Sequence, residues 1–163
     1  MTPPVALSGD HQDRSGRYAI VVSRFNDEVT SGLLQGALDA LGEAGVATDR
    51  ITVIHVPGAY EIPLAARRVG TPVLCDAVIC LGCLIKGDTM HFEYIAETAA
   101  HGIADSALAT GVPMTFGVLT TLTDEQALAR SRPGPENKGR EAALAAVEMV
   151  TLFRKFPRPG HGW

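Results

Sequence analysis

Hydrophobic and polar positions follow two different periodicities along this chain. Short apolar runs, rich in Val and Ile and typical of buried strands, occupy residues 17–23, 51–56, 76–85 and 114–121. Apolar residues recurring at helical spacing predict helices over about 28–44, 59–69, 92–110, 124–130 and 137–155. This alternation predicts an α/β fold in which a parallel sheet carries helices on both faces, joined by right-handed crossovers.

The two ends of the chain differ in composition from its centre. Residues 1–16 and 157–163 are rich in Pro, Gly and polar residues, and we predict a flexible N-terminal arm and a flexible tail. Residues 17–156 are predicted to form a single α/β domain. The last predicted helix is apolar on more than one face, which we interpret as a contact with another subunit.

Overall composition excludes several classes of partner. The net charge is −4, with 46% hydrophobic and 20% charged residues, an ordinary globular profile. No dense Lys/Arg block is present, so nucleic acid is not an expected partner. No apolar run approaches the roughly 20 residues that span a bilayer, so no membrane association is expected. The N-terminus lacks the features of a secretory signal, and the expected location is the cytoplasm.

Three cysteines, Cys75, Cys80 and Cys83, are an odd number, which argues against a disulfide framework. The CxxC spacing of Cys80 and Cys83 suggests a redox pair. The pair lies inside a predicted strand, however, where residues three apart point to opposite faces. We therefore predict buried structural thiols.

Candidate chemistry collects where the predicted strands end, at residues 24–26, 58–61, 87–91 and 120–121. In parallel sheets, ligands bind at this edge. Gly87, Asp88 and Thr89 precede a helix, whose free N–H groups suit an anion such as phosphate. His91, predicted one turn into that helix, is suited to proton transfer near neutral pH.

Each candidate also has a purely structural interpretation. Phe25 would be a core residue, Glu61 a charge at a helix N-terminus, Thr89 a cap, and Asn26 or Asp27 the cap of the first helix. His91, Arg130 and Lys138 would be surface residues.

No cluster with metal-ligand spacing, P-loop, GxSxG elbow or dinucleotide fingerprint is present, so no metal or cofactor is predicted.

Several segments together resemble one family, 6,7-dimethyl-8-ribityllumazine synthase of riboflavin biosynthesis. They are RFN (24–26), VPGAYEIP (56–63), LGCLIKGDTMHFEYIAE (81–97), FGVLTT (116–121), EQA (125–127) and NKGREAALAAVEM (137–149). The resemblance runs from about residue 18 to residue 153. It implies a three-layer, flavodoxin-like sandwich with a four-stranded parallel sheet, which agrees with the fold predicted from periodicity.

The resemblance also implies an activity without a cofactor. The family condenses 5-amino-6-(D-ribitylamino)uracil with 3,4-dihydroxy-2-butanone 4-phosphate, giving the lumazine, phosphate and water. Its members are homo-oligomers built from pentamers with active sites shared between subunits, and riboflavin synthase is a candidate partner.

The family's site residues transfer to this sequence position by position. His91 would shuttle protons. The pyrimidine and ribityl chain would contact Phe25, Asn26, Ala59, Tyr60, Glu61, Leu81, Gly82, Cys83, Leu84 and Ile85, with Phe116 supplied by a neighbouring subunit. The phosphate would contact Gly87, Asp88, Thr89, Arg130 and Lys138.

One segment departs from the family pattern. Residues 131–136 read SRPGPE, where many members have a Gly- and Lys-containing stretch, and Arg132 becomes a rival to Arg130 for the phosphate. Because this loop is associated in the family with the choice between a pentamer and a sixty-subunit shell, assembly size stays open.

Two alternative functions are a non-catalytic lumazine- or flavin-binding protein and a flavodoxin-like signalling or electron-transfer domain. For a receiver domain, Arg24 and Pro57 stand where acidic residues are needed.

Overall fold

Strands and helices alternate along the chain as the periodicity predicts. The computed structural model describes residues 1–163. The strands are β1 (Tyr18–Ser23), β2 (Ile51–Val56), β3 (Ala77–Ile85) and β4 (Met114–Thr121). The helices are α1 (Asp27–Glu43), α2 (Ile62–Val69), α3 (His91–Thr110), α4 (Asp124–Ser131) and α5 (Lys138–Arg154), with short 3-10 turns at Thr48–Arg50 and Ala59–Glu61. None of these helices is both long and apolar enough to cross a membrane.

All four strands are parallel and lie in the order β2-β1-β3-β4. The sheet therefore has β2 and β4 as its edges, and the C-terminal ends of all strands meet on one side. Tyr18 pairs with Ile51 of β2 and with Ala77 of β3, while Phe116 of β4 pairs with Cys80. This confirms the predicted flavodoxin-like α/β arrangement and places Phe116 on an edge strand.

Alternate residues of each strand enter two separate hydrophobic cores. Ile20 and Val22 lie in the core formed with α1, α4 and α5, whereas Ala19 and Val21 lie in the core formed with α2 and α3. Because the sheet is covered on both faces, its central strands are apolar on both sides, as parallel sheets generally are. The result is the predicted three-layer sandwich.

Helix α5 is apolar on two sides because it packs against both α1 and the sheet. Its contact with α1 is close: a Cβ atom on Gly139 would overlap the carbonyl group of Leu33. Because α1 covers the second apolar side within the same chain, that side is not evidence for a contact with another subunit, and such a contact stays a prediction. Periodicity reveals that a helix face is apolar, but it does not identify what covers that face.

The N-terminal segment is attached to α5 although it contains no helix or strand. The side chain of Asp13 is 1% exposed. It accepts hydrogen bonds from the Tyr18 hydroxyl at 2.6 Å and from Arg154 Nη1 at 2.7 Å. Lys155 Nζ donates to the carbonyl oxygen of Ser8 at 2.8 Å. The segment from Ser8 onward is thus bonded to the domain, while the mobility of the two termini stays a prediction.

Burial and hydrogen bonding act in opposite directions on the Asp13 carboxyl. Burial alone would raise its pKa, but hydrogen bonds from Arg154, Tyr18 and the backbone N–H groups of Ser15 and Gly16 lower that pKa to about 2. Burial and the neighbouring Asp13 carboxylate raise the pKa of Tyr18 well above its usual range. A charged carboxylate and a neutral phenol therefore form the stable pair.

The two cysteines of the CxxC spacing lie in different cores, as predicted for residues three apart in a strand. Cys80 faces α2 and α3, and Cys83 faces the α1 side. Burial raises the pKa of Cys80 to about 12 and that of Cys83 to about 11. Cys75 is buried as well, and all three thiols are free. Neutral thiols on opposite faces of a sheet do not form a redox pair.

Candidate active site

A cleft of about 630 Å³ lies at the C-terminal edge of the sheet, where β1, β2 and β3 end. It brings together most of the candidates on these three strands. The loops after β1 and β2 contribute Phe25, Asn26, Ala59, Tyr60 and Glu61. The end of β3 and the start of α3 contribute Cys83, Leu84, Ile85, Gly87, Thr89 and His91.

The loop after β1 holds Phe25 with its ring turned outward. Phe25 is 69% exposed, which excludes its interpretation as a core residue. Backbone hydrogen bonds from Arg24 to Val56 (2.8 Å) and from Phe25 to Pro57 (3.2 Å) fix the loop to the end of β2. An exposed aromatic ring on a fixed backbone is suited to stacking on a flat ligand.

Asn26 occupies the N-cap position of α1, but its side chain does not cap the helix. Its backbone is left-handed, with φ 59°, and it is the only non-glycine residue with a positive φ. Its side-chain amide instead donates to the carbonyl oxygen of Cys83 at 2.9 Å. The side chain of Asn26, a predicted cap of α1, therefore links the loop after β1 to the end of β3.

The turn after β2 fixes a carboxylate at the cleft. Glu61 Oε2 accepts a hydrogen bond from the backbone N–H of Gly58 at 2.9 Å. Tyr60, between them, is 57% exposed, while Ala59 is buried. Glu61 therefore has the structural role expected of a helix-terminus charge and also lines the cleft.

The turn after β3 is exposed and opens directly into α3. Helix α3 begins at His91, so the imidazole lies on the first residue of the helix rather than one turn into it as predicted. The backbone N–H of His91 lies 3.4 Å from Thr89 Oγ1. Free N–H groups of a first helical turn, together with Gly87 and the Thr89 hydroxyl, suit an anion.

An ion pair outside the cleft lining braces this turn. Lys86 Nζ lies 2.9 Å from Glu93 Oε1. The hydrogen bond from Lys86 lowers the pKa of Glu93. The pair joins the end of β3 to the first turn of α3, and neither residue lines the cleft.

A second pocket, of about 410 Å³, lies on the outer edge of the sheet along β4. It contains three further candidates, Phe116, Arg130 and Lys138, together with Glu141. Lys138 Nζ pairs with Glu141 Oε2 at 2.6 Å, and Arg130 Nη1 donates to the carbonyl oxygen of Gln126 at 3.0 Å. Because β3 separates β1 from β4, a single chain divides the candidates between two pockets.

Some predicted residues are outside both pockets, and some lining residues were not predicted. Leu81 and Gly82 are buried within β3, and Asp88 is exposed but does not line the cleft. Pro57, Phe92 and Ile95 line the cleft. The spacing of Phe92 and Ile95 marks one face of α3, but periodicity alone does not distinguish a face toward a cleft from a face toward a core.

The cleft combines groups suited to one kind of ligand. It offers an exposed aromatic ring, a fixed carboxylate, a helix N-terminus and an imidazole. These groups could hold a flat polar ring, bind hydroxyl groups and an anion, and transfer a proton. No group of three or more His, Cys, Asp and Glu side chains is arranged to hold a metal ion.

Comparison with known proteins points to one family. The family model described as 6,7-dimethyl-8-ribityllumazine synthase matches residues 15–154. A protein of that name from Salinibacter ruber is 49% identical over 152 residues, covering 93% of this chain and 97% of the relative. A relative from Caulobacter vibrioides, named 6,7-dimethyl-8-ribityllumazine synthase 1, is 52% identical over 139 residues, covering 85% and 91%. One from Syntrophus aciditrophicus, also 6,7-dimethyl-8-ribityllumazine synthase, is 47% identical over 152 residues, covering 93% and 99%.

Proposed function

The chain belongs to the 6,7-dimethyl-8-ribityllumazine synthase family, and from this premise we propose that its two pockets are the two parts of that enzyme's active site. The enzyme condenses 5-amino-6-(D-ribitylamino)uracil with 3,4-dihydroxy-2-butanone 4-phosphate, in riboflavin biosynthesis. The observation that carries the assignment is the cleft in which Phe25, Glu61, Gly87, Thr89 and His91 face one space.

The pyrimidine substrate binds in the part of the cleft built by β1 and β2. The exposed ring of Phe25 stacks on the flat pyrimidine ring. Glu61, held by the N–H of Gly58, accepts hydrogen bonds from hydroxyls of the ribityl chain. Cys83, Leu84 and Ile85 present backbone groups at the end of β3 to the polar edge of the ring.

The phosphate of the second substrate binds at the start of α3. Gly87 lets the backbone approach closely, the Thr89 hydroxyl donates a hydrogen bond, and the free N–H groups of the first turn favour a negative charge. Arg130 and Lys138, from the second pocket, add positive charge.

His91 transfers protons beside these two substrates. The amine of the pyrimidine attacks the ketone carbonyl, and loss of water gives a Schiff base. Removal of a proton from the adjacent carbon then lets phosphate depart with the C–O bonding electrons. The enol that remains tautomerises to a ketone beside the imine carbon, and attack of the second amine on this new carbonyl, again with loss of water, closes the ring. Holding both reactants together supplies much of the acceleration, and the imidazole adds about 10²–10⁴-fold.

The complete site forms between neighbouring subunits of a ring, which we propose to be a pentamer. Phe25 and His91 belong to one cleft, whereas Phe116 and Arg130 lie in the pocket on the far edge of β4. Phe116 is 47% exposed, so its ring is available to a neighbour. A head-to-tail contact repeats one such split site at every interface of a closed ring.

Three further family properties stay predictions for this chain. Asn26 and Asp88 are expected to contact substrate, although Asp88 does not line the cleft of the single chain. Riboflavin synthase is a candidate partner, to be tested by co-purification. Cytoplasmic localisation is to be tested by cell fractionation.

The decisive experiment incubates the pure protein with both substrates. Fluorescent lumazine and inorganic phosphate should appear together in equal amounts, faster than in the same mixture without protein. Omitting either substrate is the control. Folded, homogeneous protein that does not raise the rate above the uncatalysed mixture would overturn the proposed function.

A further inference from the structure

One buried side chain joins the two cationic residues of the β4 pocket. Asn137 is 1% exposed and immediately precedes Lys138. Its amide nitrogen lies within hydrogen-bonding distance of three carbonyl oxygens, those of Ser131 (2.9 Å), Gly32 (3.0 Å) and Arg132 (3.1 Å). Its amide oxygen accepts from the backbone N–H of Arg140 at 3.0 Å and so caps α5.

These contacts connect the end of α4 to the start of α5. Arg130 is followed by Ser131, whose carbonyl is held by the Asn137 amide, and Lys138 follows Asn137 itself. The contact with Gly32 fixes both ends to α1. A Cβ atom on Gly36 would overlap the same amide, so the group is enclosed on that side as well.

The loop between the two cations offers little other support. Residues 132–136 contain two prolines, which lack N–H groups, and Gly134, with φ 127°. At the two ends of this loop, the N–H of Arg132 donates to the carbonyl oxygen of Leu128, and the N–H of Asn137 donates to that of Gly134. The separation of Arg130 from Lys138 therefore depends on the side chain that ties both ends of the loop to α1.

We propose that Asn137 is a positioning residue for the phosphate-bearing substrate. Resting on the proposed function, this inference holds that the Asn137 amide sets the relative position of Arg130 and Lys138. It contacts no substrate and acts only through those cations. A shift of about 1 Å in such a group can change a rate by up to about 10²-fold, so a well-fixed loop matters for binding.

The test compares the Michaelis constants of the two substrates in Asn137→Ser and Asn137→Asp. Both variants keep an oxygen able to cap α5 and lose the amide donor; Asn137→Asp also directs a carboxylate at three carbonyl oxygens. The Michaelis constant for the butanone phosphate should rise about tenfold, and that for the pyrimidine by less than about twofold. Thr151→Val is the matched control, since Thr151 is also buried in α5 and bonded to a loop, at Asp10.

A second measurement repeats Asn137→Ser in a background that carries both Arg130→Ala and Lys138→Ala. If Asn137 acts only through these two cations, the substitution should then change the butanone phosphate constant by less than about twofold. Equal rises for both substrates, or the same selective rise in Thr151→Val, would overturn the inference while leaving the catalytic assignment intact. If neither Asn137 variant folds, the residue is a folding determinant and the inference fails. If the unsubstituted protein formed no lumazine, that result would instead refute the proposed function.

Discussion

The side-chain amide of Asn26 donates a 2.9 Å hydrogen bond to the carbonyl oxygen of Cys83, and so joins the loop after β1 to the end of β3. The bond depends on the left-handed backbone of Asn26, with φ 59°. That conformation costs roughly 1–2 kcal/mol for most residues, and Asn is among the few that adopt it readily. The stacking ring of Phe25, one residue earlier, thereby takes its position from β3 as well as from its own strand.

Substitutions of Asn26 should separate the backbone contribution from the hydrogen bond. Asn26→Gly keeps the left-handed backbone and loses the bond, and should lower the free energy of unfolding by about 1 kcal/mol. Asn26→Ala adds roughly 1–2 kcal/mol of backbone strain. Urea unfolding measures both, and fluorescence titration measures lumazine affinity, which should fall in each variant. Equal stability of the Gly and Ala variants would contradict a left-handed residue here.

His91→Ala should slow condensation by about one to three decades, since proximity of the bound substrates remains while proton transfer by the imidazole is lost. Folding and lumazine affinity should change little, because His91 is exposed on the first residue of α3. His101→Ala, another exposed histidine of the same helix, is the control. Unchanged turnover in folded His91→Ala would remove the imidazole from the mechanism.

Mixing two inactive variants should restore activity if the site is shared between subunits. Chains carrying His91→Ala and chains carrying Arg130→Ala, unfolded and refolded together, would form some interfaces that contain both intact residues. With random mixing in a closed ring, about one interface in four should be complete. Turnover of the mixture, compared with the separately refolded variants, is the measurement, and mass spectrometry checks that mixed rings form.

A second mixture controls for this result. His91→Ala and Phe25→Ala alter residues of the same cleft, so mixing them should create no complete site. Activity recovered only in the first mixture would show that His91 and Arg130 act from neighbouring subunits. Mixed rings that show no recovery in either experiment would mean that each subunit holds its own complete site.

The reaction should require neither a metal nor a pair of thiols. Cys80→Ala and Cys83→Ala should each retain substantial turnover, because the two thiols are buried in different cores and their pKa values are raised to about 12 and about 11. Treatment with a chelator should also leave turnover unchanged. If the chelator abolished activity and added zinc restored it, the proposed site chemistry would be wrong.

Stability should fall in acid as Asp13 becomes protonated. Its folded pKa of about 2 lies below the ordinary value of 3.8, so its charged form is favoured by folding. The stabilisation, roughly 2 kcal/mol, is complete above about pH 5 and is lost as pH falls toward 2. Asp13→Asn should therefore be less stable at neutral pH, and its difference from the unsubstituted protein should shrink with acidification.

Urea unfolding across this pH range measures that difference. Asp10→Asn is a suitable control, since Asp10 is in the same segment but its side chain is 56% exposed. A constant difference between Asp13→Asn and the unsubstituted protein from pH 7 to pH 2 would show that the Asp13 charge does not contribute to folding.

Periodicity predicted the fold well because a parallel sheet covered on both faces produces continuous apolar strands separated by amphipathic helices. Periodicity did not predict which part of the molecule covers an apolar helix face. Helix α5 has two apolar sides, and α1 of the same chain covers the second one. Likewise, Phe92 and Ile95 share a face of α3 that lines the cleft.

The position of the candidate site was predictable, but its internal geometry was not. Residues that follow parallel strands must meet at the C-terminal edge of the sheet, and this brings Phe25, Glu61 and His91 together. The cross-link made by Asn26 depends on a backbone conformation that sequence patterns do not reveal. The buried amide of Asn137 was likewise not identified, because a single Asn before a helix predicts only a cap.

The bond from Lys155 to Ser8 places the two ends of the folded domain side by side, at the edge of the sheet where β1 begins. A short peptide could therefore join the ends, and new termini could be opened at the exposed Gly111 between α3 and β4. Such a circular permutant would keep every strand of the sheet in place. The joined ends would lie at the opposite edge of the sheet from the cleft, roughly 20 Å away, about the length of a six-residue strand.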